Sequence, residues 1–165
     1  MNRIRRLIVL LIALGFFSYK AVKPLYYPWA IPLQKAGRKI DRIAPPDALA
    51  IFVADGDSSQ IYYSRRKGWH AFDDSDWGAP LDSAQAISEL EALRHRGARY
   101  LVFTRYTFWW LDYYKDFEKY LDSHYLRAQD AKDYVIFDLA RDPNGGTVNS
   151  TSPGRAPAVR RAPLF

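Results

Sequence analysis

A chain of 165 residues has room for one domain, and its formal net charge of +6 raises the question of a polyanionic partner. The charge is uneven: residues 1–43 carry nine basic and one acidic residue, and residues 141–165 carry four and one, whereas residues 44–140 carry 11 basic and 16 acidic residues. A nucleic-acid-binding domain carries its positive charge on the domain itself, so this distribution argues against nucleic acid as a partner.

The N-terminal segment has the pattern of a membrane anchor. As a helix, Leu7–Val22 is about 24 Å long, against a hydrocarbon core of about 30 Å. A cleaved secretory signal is the alternative, but no small-x-small cleavage site follows the apolar run. Instead, three aromatic residues that are typical of a membrane interface follow it, namely Tyr26, Tyr27 and Trp29. The pattern predicts a single-pass protein of the bacterial inner membrane, with the N-terminus in the cytoplasm and the domain periplasmic or extracellular.

Downstream, helical spacing of apolar residues predicts three helices. The first covers 33–43 and stops at Pro45-Pro46. The second begins at an Asp82 cap, with Gln85 at the third position, and closes at Gly97. The third presents one aromatic face, formed by Trp110, Tyr113, Tyr114, Phe117, Tyr120 and Leu121.

Short, continuous apolar runs predict strands that are covered on both faces. They are Leu49–Ala54, Arg99–Thr104 and Tyr134–Leu139, and the last should pair with Tyr125–Ala128. Strands that alternate with helices indicate an α/β fold, here a small three-layer sandwich with a mostly parallel sheet and an antiparallel edge hairpin. One N-terminal transmembrane helix should precede it.

These elements divide the chain into five predicted parts. They are a cytoplasmic basic start (1–6), a transmembrane anchor (7–23), a juxtamembrane segment and helix (24–46), an extracytoplasmic α/β domain (47–140) and a disordered basic tail (141–165).

Few residues point to chemistry. No glycine-rich phosphate loop follows a strand, the three histidines are scattered and cysteine is absent, so we expect neither a metal nor a cofactor. Asp55 and Asp57 directly follow the first predicted strand, at the end where α/β sheets place their ligands. They are either contacts for a cation or a sugar hydroxyl, or the acids of an ordinary turn.

The sequence YYSRRKGWH, at Tyr62–His70, combines aromatic rings with three consecutive cations. In a structural interpretation, Trp69 and the tyrosines pack under the sheet while the cations stay solvated. In a functional one, the cations Arg65, Arg66 and Lys67 face an anionic lipid phosphate. Alternatively, Trp69 offers a stacking face to a sugar ring.

Two short motifs carry a resemblance to a known family. The first consists of Tyr62, Tyr63, Arg66, Lys67, Gly68 and Trp69, and the second of Gly97, Ala98, Arg99 and Tyr100. Over roughly residues 7–140 the chain resembles the last transmembrane helix and exported α/β domain of polytopic GT-C glycosyltransferases, of the protein-mannosyltransferase and aminoarabinose-transferase-like type. The catalytic carboxylate of that family lies in an upstream membrane part without a counterpart in this sequence, so no catalytic residue is carried over.

The resemblance implies a membrane-tethered, non-catalytic accessory or recognition domain, linked to transfer of cell-envelope glycan or lipid-linked sugar. Its implied partners are the membrane, a polytopic membrane glycosyltransferase, and a glycan or polyprenyl-phosphate sugar. The expected contact residues are Asp55, Asp57, Arg65, Arg66, Lys67 and Trp69. Two alternatives stay open: a small extracytoplasmic enzyme that uses Asp55 and Asp57, or a truncated glycosyltransferase remnant.

Overall fold

The computed structural model describes residues 3–23, 29–54, 56–71 and 79–148. The elements in chain order are α1 (Arg3–Val22), α2 (Ala30–Ile43), β1 (Leu49–Val53), α3 (Ser59–Ser64), β2 (Gly68–His70), α4 (Ser83–His95), β3 (Ala98–Thr104), α5 (Trp109–Tyr113), α6 (Lys115–His124), β4 (Leu126–Ala131) and β5 (Tyr134–Asp138).

The five strands form one sheet in the order β2-β1-β3-β5-β4. β1 pairs in parallel with both β2 and β3, whereas β5 runs antiparallel to β3, and β4 antiparallel to β5. The pairing of β4 with β5 contains a register shift between Arg127 and Gln129. The fold is therefore α/β, but the sheet is mixed rather than mostly parallel, because the antiparallel pairing reaches β3 as well as the edge hairpin.

Helices cover both faces of the sheet, which gives three layers. α2 and α3 lie on one face, where Ala50 and Phe52 of β1 belong to the core. α4, α5 and α6 lie on the other face, where Ile51 and Val53 belong to a second core. Successive strand residues point to opposite faces, so a strand covered on both sides needs an unbroken apolar sequence. Each large side chain that is fully buried in this way contributes about 1.5–3 kcal/mol.

The predicted transmembrane anchor is wrong. α1 is a helix, but none of the helices in the described ranges is both long and apolar enough to cross a membrane. The reason is charge near both helix ends, since any 18 consecutive residues of α1 include Arg5, Arg6 and Lys20. The uncharged stretch Leu7–Tyr19 is about 20 Å long as a helix, well short of a hydrocarbon core of about 30 Å. This finding also contradicts the predicted single-pass topology and the localisation that depended on it.

The start of α4 confirms the predicted cap. The Asp82 carboxylate accepts the Gln85 amide at 2.8 Å, and the Gln85 side chain accepts the Leu81 amide at 2.8 Å. These bonds satisfy amides that would otherwise have no partner at a helix start. The helix ends at His95, and Gly97 follows with a φ of +99°, a conformation that favours glycine.

The predicted aromatic helix is interrupted, with α5 and α6 separated at Tyr114. The Tyr114 backbone leaves the helical region, at φ −92° and ψ 68°, while its buried hydroxyl donates to the Pro80 carbonyl at 2.6 Å. Tyr114, Phe117 and Leu121 are buried as expected, but Tyr113 is 72 % exposed. The buried residues Trp110, Tyr114, Phe117 and Leu121 keep the spacing of one helix face across the break, and Tyr113 lies outside that face.

The start of the predicted tail forms a turn. Arg141 and Thr147 make an isolated antiparallel bridge, and the Asp142 carboxylate accepts the amides of Asn144 and Gly146, both at 2.9 Å. Val148 packs against the core on the α4 side of the sheet. The rest of the predicted tail, from residue 149 onwards, lies outside the described residues.

Candidate ligand site at the carboxyl edge of the sheet

The connections that leave β1 and β3 run to opposite faces of the sheet. After β1 the chain forms α3 on one face, and after β3 it forms α5 and α6 on the other. In an open α/β sheet, such a divergence between neighbouring parallel strands leaves a crevice at their carboxyl ends, where these folds bind ligands. The order of the elements therefore locates the candidate site before any side chain is considered.

A crevice of about 220 Å³ occupies this position. Its walls come from the first turns of α2, from the end of β1 with the turn that follows it, and from the end of β3. The lining residues are Trp29, Leu33, Ala54, Asp57, Thr104, Tyr106 and Thr107.

Two threonines form the floor of the crevice. The Thr107 hydroxyl accepts the Thr104 amide at 3.1 Å and lies 3.2 Å from the Val53 carbonyl oxygen, so it ties the ends of β1 and β3 together. The Thr104 hydroxyl is fully buried and has no hydrogen-bond partner among the described residues. A buried polar group without a partner costs about 1–3 kcal/mol. A ligand that hydrogen-bonds to this hydroxyl would recover that cost.

Two aromatic rings and one carboxylate stand at the rim. Trp29 is 55 % exposed and Tyr106 is 36 % exposed, so both rings have free surface beside the crevice. The Asp57 carboxylate accepts the Ser59 amide at 2.7 Å, which orders the turn before α3. The crevice thus combines aromatic surfaces with a hydroxyl and a carboxylate, a composition suited to a small polar ligand.

The structure describes one of the two predicted acidic residues, Asp57. Asp57 lines the crevice, whereas Asp55 lies outside the described residues. Between them, Gly56 has a φ of +81°, and the Asp57 amide donates to the Ala54 carbonyl at 2.8 Å. This hydrogen bond holds Asp57 at the rim of the crevice.

Arg66, one of the three predicted cationic contacts, is buried at the end of α2. Its guanidinium donates to the carbonyl oxygens of Asp41, at 3.0 Å, and Ala44, at 2.7 Å. It also pairs with the Asp41 carboxylate at 3.1 Å. Carbonyl groups at a helix end lack partners within the helix and carry partial negative charge, so a buried arginine is well placed to satisfy them. Arg66 therefore has a structural role.

The other residues of the motif have different surroundings. Arg65 and Lys67 are exposed, and Trp69 is half-buried, with the Arg96 guanidinium 5.1 Å from its ring centre. Arg96 therefore covers a face of the Trp69 ring, the surface that the sequence analysis considered for stacking on a sugar. A β-carbon on Gly68 would collide with the Ala50 carbonyl oxygen, so the close pairing of β1 with β2 requires glycine. None of Arg65, Lys67 and Trp69 lines the crevice.

A pair with catalytic residue types lies near the same edge. The Ser58 hydroxyl is 3.3 Å from His70 Nε2, while His70 Nδ1 is buried without a hydrogen-bond partner. A serine nucleophile needs its histidine base oriented by a third group, usually a carboxylate. Within the described residues no such group is bonded to Nδ1, and no cluster that could hold a metal ion is found.

A second polar cluster joins α4 to α6, away from the crevice. The Glu91 carboxylate accepts the hydroxyl of Tyr125, the hydroxyl of Tyr120 at 3.1 Å and the Arg94 guanidinium at 2.8 Å. Burial by itself would raise the pKa of Glu91, but the hydrogen bonds, led by that from Tyr125, outweigh burial and lower this pKa. Burial, followed by the bond to Glu91, raises the pKa of Tyr125. The cluster thus favours ionised Glu91 and neutral Tyr125.

Sequence reasoning missed most of the crevice. Thr104 ends the second apolar run and Thr107 follows it, just as the Asp-Gly-Asp turn follows the first, so the rule applied to one strand end would have found both. Trp29 was assigned to a membrane interface, but it lies immediately before α2 and faces the crevice. Tyr106 carried no signal beyond its position after a strand.

The comparisons with known proteins give no family. The sequence matches no family model, and neither a curated protein nor a solved structure is significantly similar to it. The resemblance to GT-C glycosyltransferases therefore has no support beyond its two short motifs. Together with the finding on α1, this corrects the expectation of a membrane-bound, glycosyltransferase-like protein.

Proposed function

We propose that this domain recognises a carbohydrate, and that one sugar ring occupies the crevice between β1 and β3. The observation that carries the proposal is Thr104, a residue that lines the crevice and whose buried hydroxyl has no partner in the described chain. Sugar hydroxyls both donate and accept hydrogen bonds, so one of them can satisfy this group without any charge on the ligand.

The size and rim of the crevice support a single ring. Its volume of about 220 Å³ lies below the ~300–1,000 Å³ of sites for larger ligands. The C–H face of a sugar packs against aromatic rings, and Trp29 and Tyr106 present such rings at the rim. The Asp57 carboxylate supplies an acceptor for a second sugar hydroxyl.

The lining favours recognition over catalysis. Glycoside hydrolysis normally needs two carboxyl groups, placed on two sides of the scissile bond. Among the described lining residues Asp57 is the one acid, and it already accepts the Ser59 amide. The proposal is therefore a binding module that leaves its sugar unchanged.

The test is titration of the full chain with a panel of neutral monosaccharides and short oligosaccharides. Tryptophan fluorescence and calorimetry measure the binding. Trp29→Leu should abolish the fluorescence response and weaken binding at least about fivefold, because it removes a stacking surface. Trp109→Leu is the matched control, since Trp109 is 45 % exposed but does not line the crevice.

Thr104→Val tests the hydroxyl with little change in shape and should also weaken binding. Its control is Thr147→Val, at an exposed threonine outside the crevice. If no neutral sugar binds, or if control and crevice variants weaken binding equally, the proposal is wrong. Turnover of a sugar by the purified protein, lost in Asp57→Asn, would instead establish an enzyme.

A further inference from the structure

A second and larger cleft lies where the end of α2 meets α3. Its volume is about 480 Å³, within the range of small-molecule sites. The lining residues are Arg38, Asp41, Arg42, Tyr62, Tyr63 and Arg65. It is separate from the crevice, because the two share no lining residue.

The cleft carries uncompensated positive charge. Three arginines line it against one carboxylate, that of Asp41, and this group is already paired with buried Arg66 at 3.1 Å. Asp41 also lies 3.9 Å from Arg65 Nε. Arg38 and Arg42 make no ion pair with any described residue, although they stand four residues apart on one helix face, where like charges repel. A bound anion would offset this repulsion.

The surrounding contacts fix the backbone at Arg65. Its backbone is left-handed, with a φ of 52°, which is uncommon for a residue other than glycine. Arg66 holds this turn, since its guanidinium donates to the Arg65 carbonyl at 3.2 Å while it also binds the end of α2. The Arg65 side chain is 81 % exposed. The fold thus directs one guanidinium outward beside the two from α2.

An aromatic ring stands beside these cations. Tyr62 is 77 % exposed, and Tyr63 packs edge-on against it, with 5.2 Å between ring centres. This contact limits the orientations of the Tyr62 ring, which therefore offers a defined stacking surface.

We propose that the cleft binds a small organic phosphate that carries a ring, with the phosphate among Arg38, Arg42 and Arg65 and the ring on Tyr62. Guanidinium groups present paired donors that match phosphate oxygens, which makes arginine better suited than lysine to this role. The inference is independent of the carbohydrate proposal, because the two sites share no lining residue.

The experiment measures binding of uridine monophosphate and inorganic phosphate to the full chain by calorimetry, with phosphatidic acid vesicles as a third probe. The nucleotide should bind more tightly than phosphate, and both should bind more weakly at higher salt. Arg38→Gln, Arg42→Gln and Arg65→Gln should each weaken nucleotide binding at least about fivefold, from the loss of a charge-assisted hydrogen bond. These side chains are exposed, so the variants should fold.

The controls remove the same charge outside the cleft. Lys67→Gln and Lys119→Gln change exposed cations that do not line it, and both should bind the nucleotide like the unmodified chain. Tyr62→Leu should weaken nucleotide binding about threefold and leave phosphate binding unchanged. Equal weakening by the lysine variants would overturn the proposal, as would the absence of nucleotide binding. Binding confined to vesicles, without displacement by the nucleotide, would also overturn it. Nucleotide binding that is unchanged in Tyr62→Leu would refute the stacking role of Tyr62.

Discussion

Two buried polar side chains, those of Arg66 and Thr104, have opposite environments. The two terminal nitrogens of the Arg66 guanidinium reach two carbonyl groups and a carboxylate at the end of α2, so the protein itself supplies partners for them, whereas Nε has none among the described residues. The hydroxyl of Thr104 is fully buried and has no partner in the described chain, and the residue lines a crevice. Burial alone does not distinguish these two side chains. They differ in whether the protein supplies the partners that a buried polar group needs.

The largest loss of stability should come from truncation of a buried apolar side chain. This loss is the reference for the variants of Arg66 and Thr104 below. Phe117→Ala should lower the free energy of unfolding by about 3–5 kcal/mol, because Phe117 of α6 is fully buried in the core on the α4 side of the sheet. Chemical denaturation measures it. Tyr113→Ala is the control, and at 72 % exposure it should cost less than about 0.5 kcal/mol. Similar losses in the two variants would mean that Phe117 is not a core residue.

Removal of the hydrogen-bonded Arg66 guanidinium should have the next largest effect. Arg66→Met should cost about 3 kcal/mol, because it leaves the Asp41 carboxylate and the last carbonyls of α2 without their partner. Arg65→Met, at the exposed neighbour, should cost less than about 1 kcal/mol. Unfolding in urea compares the two. An Arg66→Met variant as stable as Arg65→Met would show that these bonds do not hold α2 in place.

Glu91 is a half-buried polar group, whose partners make stability depend on pH. Its folded pKa is lowered, because hydrogen bonds led by that from Tyr125 outweigh burial. Its contribution is therefore present above its unfolded pKa, and is lost as pH falls through the lower folded pKa. The unmodified chain should lose more unfolding free energy between pH 7 and acidic pH than Glu91→Gln. Denaturation curves across that range measure this, with Glu89→Gln as control. An unchanged pH profile in Glu91→Gln would contradict the assignment.

The smallest effect, and the one of opposite sign, is expected at Thr104. Thr104→Val removes a buried hydroxyl without a partner and keeps the shape of the side chain, so stability should stay equal or rise by up to about 1 kcal/mol. Thermal and urea unfolding of the apo protein measure this. A loss above about 1 kcal/mol would mean that the hydroxyl has a structural partner, and would remove the contrast with Arg66.

The sequence was sufficient where local pattern decides structure. The runs around β1, β3 and β5 are apolar throughout because both faces of the sheet are covered, and this pattern needs no knowledge of neighbours. β2 was missed because its three residues, Gly68–His70, follow three cations and carry no strand pattern. Its pairing depends on close contact with Ala50, which only the assembled sheet shows.

The candidate sites were less predictable because they depend on contacts between distant residues. Asp57 was found from the rule for strand ends, but Thr104 lies 47 positions further along the chain and meets it only through sheet pairing. In the sequence, Arg66 is one of three consecutive cations that nothing distinguishes. Its burial follows from Asp41 and Ala44, 25 and 22 positions earlier in the chain, and no local pattern encodes that contact.

The two edges of the sheet have a consequence for aggregation. β2, at one edge, offers only three residues to an incoming strand. β4, at the other, carries charged Arg127 and Asp130, and the register shift beside Arg127 distorts its ladder. Short strands, charges and bulges are the features by which natural sheets resist edge-to-edge polymerisation. Growth of this sheet into a fibril by strand addition is therefore disfavoured from both ends.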